Sequence, residues 1–239
     1  MKKILLILFS FLLITGCSSK NENEIVMATE AGFAPYEYYE NNEIIGVDIE
    51  IAKEIAKELG KELVIKDIAF DSIINELKSN KADFALAGMS ITEERQKEVD
   101  FSVEYATSRQ VIITLKDSKI KKPEDIKGKK VAVQLGTVAD LVLTEDYDVE
   151  LTRQKKFLAA IEDVKAKKVD CVVMDYLPAK ELLKENNELV ILEEELFTDK
   201  YAVAVKKGNK ELLDQINKVL QRLIDEGKIE EYTINYSKW

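Results

Sequence analysis

This sequence of 239 residues contains no histidine. Its absence removes both the commonest general base and the commonest transition-metal ligand of proteins. The chain also has no Walker-type phosphate-binding loop, no GxSxG nucleophile motif and no carboxylate-rich calcium loop. Most hydrolase and metalloenzyme functions are therefore excluded, and we expect neither a cofactor nor a bound metal.

Cysteine is nearly absent, since the chain has only Cys17 and Cys171. Cys17 lies in the N-terminal segment discussed below, so Cys171 has no cysteine left to pair with inside the folded body. Cys171 falls in the apolar run 169–174, which predicts a buried and inert thiol. The stability of the fold must then come from burial of apolar surface rather than from a disulfide.

Positive charge is in deficit, with 35 Lys and Arg against 45 Asp and Glu and a formal net charge of −10. Loss of Lys2 and Lys3 with an N-terminal signal would make this −12. A net-negative body repels phosphate backbones, and the chain shows no stripe of Lys and Arg. We therefore expect no nucleic-acid partner.

The N-terminus has the layout of a bacterial export signal. Lys2 and Lys3 precede the apolar run 4–14, which falls short of the roughly 20 residues that span a bilayer. The run ends in Thr15-Gly16-Cys17, which resembles the lipobox of lipoproteins, where the cysteine is acylated. We predict a signal peptide at 1–16, a lipid on Cys17, a tether at 17–24 and an extracytoplasmic protein anchored to the cell membrane. The alternative is an ordinary secretory signal with an incidental cysteine.

Strand-like apolar runs alternate with helical patterns along the rest of the chain, which indicates an α/β fold with mostly parallel strands. Val47, Ile51, Ile55 and Leu59, for example, recur at helical spacing before a glycine. The predicted strands are 25–28, 64–68, 84–86, 131–133, 149–151 and 171–174. The predicted helices are 47–59, 71–77, a turn from residue 92, 137–143, 157–164, 176–184, 212–224 and 229–236.

Two stretches of the sequence match each other at a step of 87 residues. Phe70 pairs with Phe157, Leu77 with Val164, and Asp83 with Asp170, and each trio frames a helix, a turn and an apolar strand. Either the match is accidental or the chain forms two similarly built lobes. A cleft between two such lobes would face the carboxyl ends of the strands, where open α/β sheets bind small ligands.

The segment from Ala87 to Arg95 fits the needs of a ligand carboxylate. Such a group favours a bidentate guanidinium or a helix N-terminus, and the ammonium of an amino acid favours a carboxylate. Gly88 ends a strand and would let a ligand approach the backbone, Ser90 offers a hydroxyl, and Arg95 lies one helical turn beyond Thr92. On the segment alone, Arg95 could equally pair with surface carboxylates.

Several motifs in order resemble the polar amino-acid-binding proteins of bacterial ABC importers, solute-binding protein family 3. The match covers essentially the whole chain after the tether. It implies a two-lobed periplasmic-binding-protein-like fold of type II, with two hinge crossovers and a ligand cleft between the lobes. The motifs are Gly46-Val47-Asp48, Ala69-Phe70-Asp71-Ser72-Ile73-Ile74, Lys81-Ala82-Asp83, Gly88-Met89-Ser90-Ile91-Thr92-Glu93-Glu94-Arg95, Val99-Asp100-Phe101-Ser102, Leu135-Gly136-Thr137 and Gly227-Lys228.

The resemblance also implies roles for individual residues. Arg95 would clamp the ligand carboxylate with help from Ser90 and Thr137, while Asp175 and the carbonyl of Gly88 would bind its ammonium. Without the resemblance, Phe33, Phe70 and Asp175 would be interpreted as two core aromatics and a strand-end carboxylate. With it, Phe33 and Phe70 become the walls of a side-chain pocket whose members are Glu30, Phe33, Phe70, Ala87, Met89, Gln134 and Met174.

The pocket departs from better-known members of the family at three positions. Glu30 stands where many relatives have an aspartate, Gln134 stands where a glutamine-binding type has a lysine, and Met174 replaces a polar residue. A carboxylate without a matching lysine favours a cationic or amide tip. We therefore rank lysine, arginine and ornithine first, glutamine or another polar residue second, and acidic ligands last.

In the family the chain crosses between the lobes twice, and these crossings map to 105–109 and 197–201. The first lobe would then comprise 24–107 and 201–239, and the second lobe 108–200. A ligand bound by both lobes would stabilise a closed state that importer permease subunits distinguish from the open one. We expect a monomeric receptor without enzymatic activity.

Two other functions are compatible with this sequence. A dehydratase on the same fold would use an acidic residue, for which Glu30 is the candidate, as its proton carrier. A substrate without an ammonium would leave the site of Arg95 and Asp175 half-unpaired, which argues against it. A lipid-anchored sensor or adhesin that lost transport is the second alternative.

Overall fold

A computed structural model describes residues 21–237 of the chain. The predicted signal peptide, the lipidated Cys17 and most of the tether lie outside the described residues. Within the described range the tether ends earlier than predicted, because Glu24 already begins the first strand. Between residues 21 and 237 no helix has both the length and the apolar character needed to cross a membrane.

The first lobe is built on three parallel strands with helices packed against them. β1 pairs with β4 on one side and with β5 on the other. A small hairpin of β2 and β3 precedes the first helix. The elements are β1 (Glu24–Thr29), β2 (Tyr38–Glu40), β3 (Glu43–Ile45), α1 (Val47–Glu58), β4 (Glu62–Asp67), α2 (Ile73–Lys78), β5 (Phe84–Ala85) and α3 (Glu93–Glu98).

The second lobe repeats this plan. β7 pairs in parallel with β8 and with β9, in the same way that β1 lies between β4 and β5. The elements are β7 (Lys130–Gln134), α4 (Val138–Asp146), β8 (Glu150–Gln154), α5 (Phe157–Lys165), β9 (Cys171–Asp175), α6 (Tyr176–Leu183) and β10 (Leu189–Ile191).

Two long antiparallel strands join the lobes: β6 (Val99–Leu115) and β11 (Phe197–Lys206). β11 also pairs with β5 of the first lobe, and β6 pairs with β9 of the second. The sheet therefore runs β4-β1-β5-β11-β6-β9-β7-β8, with β10 on the far part of β6. The C-terminal helices α7 (Lys210–Asp225) and α8 (Lys228–Tyr236) pack on α1 and so belong to the first lobe.

Local sequence signals explain where the helices begin and end. The hydroxyl of Thr92 accepts a hydrogen bond from the backbone of Arg95, and Thr137 caps α4 in the same way. Gly60 and Gly227 adopt left-handed backbone conformations just beyond α1 and α7, as expected for residues that stop helices. The predicted helices are confirmed and the predicted strands pair in parallel within each lobe, but the antiparallel pairings of β6 and β11 make the sheet mixed rather than mostly parallel.

Apolar residues of both lobes form the core. Cys171 is fully buried among them, and burial raises the pKa of its thiol to about 12, so the prediction of an inert thiol is confirmed. Leu77 and Val164, which the repeat aligns, are both completely buried. Across residues 21–237 no cluster of acidic and sulfur side chains is arranged to hold a metal ion.

Candidate functional site

A narrow cavity lies between the two lobes. Three of its lining residues were not predicted from the sequence: Glu37, Val138 and Phe157. The other nine belong to the predicted site and come from both lobes: Glu30, Phe33, Phe70, Ala87, Gly88, Ser90, Gln134, Thr137 and Asp175.

Arg95 is buried beside this cavity and connects the lobes. One terminal nitrogen donates to the carbonyl of Ser90 at 2.5 Å, and the other donates to the carbonyl of Gly136 at 2.9 Å. The guanidinium carbon lies 5.4 Å from the centroid of the Phe70 ring, within cation–π range. Burial lowers the pKa of Arg95 to about 10, so the side chain stays charged at neutral pH.

The hydroxyl of Ser90 hydrogen-bonds to a carboxylate that the sequence analysis missed. Ser90 donates to Oδ2 of Asp199, while Oδ1 of Asp199 accepts from the amide of Gln110 at 3.2 Å. Ser90 therefore makes two hydrogen bonds: its hydroxyl donates to Asp199, and its carbonyl accepts from Arg95. Asp199 lies on β11, which sequence analysis treated as a crossover rather than as part of the site.

Asp175 ends β9 as predicted and is almost completely buried. Its Oδ1 accepts hydrogen bonds from Ser108 at 2.6 Å, from Gln110 at 2.7 Å and from the hydroxyl of Tyr201. Burial, together with the negative charge of Asp199, raises the pKa of Asp175 to about 7. Asp175 is therefore poised to lose a proton at neutral pH when a cation approaches.

The backbone conformation of Gly88 and the neighbouring ring of Phe33 both require a glycine at this position. Its φ of +52° is unfavourable for other residues, and a Cβ added there would lie 2.6 Å from a ring carbon of Phe33. Its N–H donates to Asp48 at 3.0 Å. The ring of Phe33 packs where a side chain would lie, while Gly88 itself lines the cavity, and contact between its carbonyl and a ligand ammonium stays a prediction.

A second group of charges lies around Glu30. The amide of Gln134 donates to Oε2 of Glu30 at 3.2 Å and to the carbonyl of Lys155 at 2.9 Å. Lys156 of the second lobe lies 2.8 Å from Oε1 of Glu30. The prediction that Glu30 has no matching lysine is therefore wrong, since its partner comes from a distant part of the sequence.

The cavity is lined by the two predicted aromatic residues, Phe33 and Phe70, and by a third, Phe157. Phe33 stacks on Phe157 of the second lobe at 5.8 Å between ring centroids, and on Tyr36 at 5.9 Å. Phe70 instead lies next to Arg95. The 87-residue step that aligns Phe157 with Phe70 was the signal that could have identified Phe157 as a lining residue.

Thr137 and the two predicted methionines complete the set. The hydroxyl of Thr137 lines the cavity and donates to the carbonyl of Gln134 at 2.8 Å while capping α4. Met89 and Met174 are fully buried in the apolar core and do not line the cavity. Met174 precedes Asp175 on β9, and alternate residues of a strand face opposite sides, so its side chain points away from the cavity.

A buried acid pair underlies the cavity. The hydroxyl of Tyr105 lies 2.9 Å from both oxygens of Asp48, which also accepts the N–H of Gly88. Burial raises the pKa of Asp48 to about 6. Burial, together with the adjacent charge of Asp48, raises the pKa of Glu37 well above its usual range. The pair connects the cavity to β6.

Comparisons with known proteins agree with this architecture. The family model of the bacterial extracellular solute-binding proteins, family 3, matches residues 25–239. The arginine-binding extracellular protein ArtP of Bacillus subtilis is 34% identical over 97% of this chain and 96% of its own length.

Solved structures resemble the chain about as closely as ArtP does in sequence identity. The amino-acid ABC transporter substrate-binding protein AbpA of Streptococcus pneumoniae, bound to L-arginine, is 33% identical with a TM-score of 0.85, covering 90% of this chain and 95% of its own. An ancestral arginine-binding protein bound to glutamine is 37% identical with a TM-score of 0.82, covering 91% and 99%. This chain belongs to family 3 of the bacterial extracellular solute-binding proteins.

Proposed function

We propose that the chain binds a free cationic amino acid, arginine first and then lysine or ornithine, and delivers it to an ABC importer. Glutamine is the next-ranked ligand. The observation that carries this proposal is a cavity with Asp175 and Glu30 in its lining and Arg95 beside it. Arg95 would bind the ligand carboxylate, Asp175 its ammonium, and Glu30 its cationic tip.

The balance of charges around the cavity favours a cation. Arg95 and Lys156 are positive, while Asp175, Asp199 and Glu30 supply three carboxylates. With these groups ionised, the site has an excess of one negative charge, which a ligand of net charge +1 neutralises. An anionic amino acid would add to the excess in a partly desolvated cleft, which is unfavourable.

The relatives support the same ranking. ArtP is an arginine-binding protein, AbpA was solved with L-arginine bound, and the ancestral arginine-binding protein was solved with glutamine bound. An arginine site that also admits glutamine matches the order that Glu30 suggested.

The lobes would move about the two long strands. We place the first lobe at 24–107 and 201–239 and the second at 108–200, so that β6 and β11 contain the crossings. Arg95 and Asp175 then lie on different lobes, and a bound amino acid would join them and shift the equilibrium towards closure. We propose a monomer that lipid on Cys17 anchors outside the cytoplasm, next to the permease.

The test is a binding screen followed by calorimetry. A thermal-shift screen of the twenty amino acids and ornithine should give the largest shift with arginine, and the hit is then titrated into wild type and R95A. We expect R95A to lose about 2–5 kcal/mol of binding free energy, because the mutation leaves the buried carboxylate of the ligand without its guanidinium partner.

The control is R222A, which removes a guanidinium paired with Glu54 at 2.8 Å on the outer surface. It should bind as wild type does. Unchanged affinity in R95A would remove Arg95 from the site, and a screen led by glutamate or by no amino acid would contradict the proposed function.

A further inference from the structure

We propose that Lys156 is a built-in competitor of the ligand, holding the Glu30 oxygen that a cationic ligand tip must reach. This inference rests on the proposed function and names a residue that sets its specificity. Lys156 would limit the preference for cationic over neutral ligands, and at the same time join the two lobes across the mouth of the cleft.

The geometry places the lysine and the carboxylate on different lobes. Glu30 directly follows β1, and Lys156 directly precedes α5. The ammonium of Lys156 lies 2.8 Å from Oε1 of Glu30. The Glu30 side chain is only 5% exposed, whereas that of Lys156 is 56% exposed. The carboxylate is therefore held in place, and the lysine is the partner that can move.

The other oxygen of Glu30 is engaged from the second lobe as well, by Gln134 at 3.2 Å. A cationic tip that contacts Glu30 must displace Lys156 or share the carboxylate with it. Sharing places two positive charges a few ångström apart, where their repulsion is only partly screened. A neutral tip such as an amide leaves the ion pair in place.

Lys156 has a second carboxylate within reach of its field. The negative charge of Asp67 contributes to raising the pKa of Lys156, although Glu30 has the larger effect. Asp67 is fixed by the backbone of Ala31 at 2.9 Å and by the hydroxyl of Tyr39 at 3.0 Å. A displaced Lys156 would thus turn from Glu30 towards Asp67 at the rim of the cleft.

The experiment compares L-arginine with L-citrulline, which has nearly the same shape but no charge at its tip. Calorimetry gives the ratio of the two affinities in wild type, K156M and K156Q. Loss of the lobe-to-lobe ion pair weakens both ligands alike and cancels in the ratio. We expect the arginine-to-citrulline ratio to rise about tenfold in both variants, as relief of a partly screened repulsion predicts.

The matched control is K218M. Lys218 forms an ion pair of the same 2.8 Å length with Glu58, between α7 and α1 and away from the cavity. An unchanged ratio in K156M and K156Q, or an equal rise in K218M, would overturn the inference while leaving the proposed function intact. Failure of wild type to bind arginine would overturn both. Melting temperatures within a few degrees of wild type would confirm that the variants are folded.

Discussion

The two lobes are built alike but contribute different chemistry to the cavity. In both, a helix ends in a turn whose residue has a φ of +56°, Asn80 in the first lobe and Lys167 in the second. The aspartate that follows accepts the backbone N–H of the central strand at 2.8 Å in each case: Asp83 from Val26 and Asp170 from Lys130. The 87-residue repeat is therefore structural.

The difference appears where the two equivalent strands end. The repeat aligns Gly88, in the segment just beyond β5, with Asp175, the last residue of β9, so a residue without a side chain in one lobe corresponds to a carboxylate in the other. Gly88 leaves space that Phe33 fills, while Asp175 gathers three hydrogen bonds next to the cavity. The two lobes thus share a scaffold, and the identity of a single residue at equivalent positions decides whether that position serves packing or carries a charge.

The largest expected difference between the lobes concerns the aligned phenylalanines. F157A should lower the free energy of unfolding by about 3–5 kcal/mol, because Phe157 is buried and its removal leaves a cavity under Phe33. F70A should cost less stability, about 1–3 kcal/mol, since Phe70 is only half-buried. Chemical denaturation measures both, with F157L as a control that keeps most of the volume. Equal losses would contradict the proposed asymmetry of the walls.

A smaller effect is expected on the pH dependence of ligand affinity, which should distinguish the role of Asp175 from that of Asp199. The ligand ammonium requires ionised Asp175, whose pKa burial and Asp199 raise to about 7. Affinity should therefore fall as pH drops below 7, by up to tenfold per unit, and level off above about pH 8. Calorimetry between pH 5.5 and 8.5 checks this.

The variant D199N sharpens that measurement. Replacing the neighbouring carboxylate with an amide removes a like charge, so the pKa of Asp175 should fall and the midpoint of the pH profile should move to lower pH. A purely structural role for Asp199 would lower affinity at every pH without moving the midpoint. A flat wild-type profile would show that Asp175 does not titrate in this range.

The smallest expected effect concerns the equivalent turns. D83A and D170A each remove the acceptor of a backbone N–H, and we expect losses of about 2 and about 1 kcal/mol in unfolding free energy. Asp83 should matter more because it is half-buried, whereas Asp170 is exposed. D83N and D170N, which keep an acceptor oxygen, should retain most of the stability. A larger loss of unfolding free energy in D170A than in D83A would contradict this prediction.

Periodic segments explain how much of this structure could be predicted. Helical spacing and short apolar runs predicted the helices and parallel strands, because burial of one face leaves a regular trace in sequence. The long strands β6 and β11 were expected only as crossovers, since each passes from one lobe to the other. The burial of successive residues changes along both strands, so their sequences show no single hydrophobic period.

The site was predictable where its residues follow motifs. Nine of the predicted residues line one cavity, and Arg95 lies beside it. Asp199 and Lys156 were missed because their partners, Ser90 and Glu30, are 109 and 126 positions away in sequence. Met174 was misplaced because the direction of a strand side chain depends on register, and Met89 because it lies beyond β5, where no strand period applies.

The sequence by itself determined the α/β class, the helix caps and the repeat, all of which depend on interactions between residues close along the chain. Only the tertiary structure decided which polar and charged groups meet across the cleft: Lys156 with Glu30, Ser90 with Asp199, and Arg95 with the carbonyl of Gly136. These pairs form between segments that approach only when the lobes are packed together. Their energies depend on burial and distance, which no local pattern encodes.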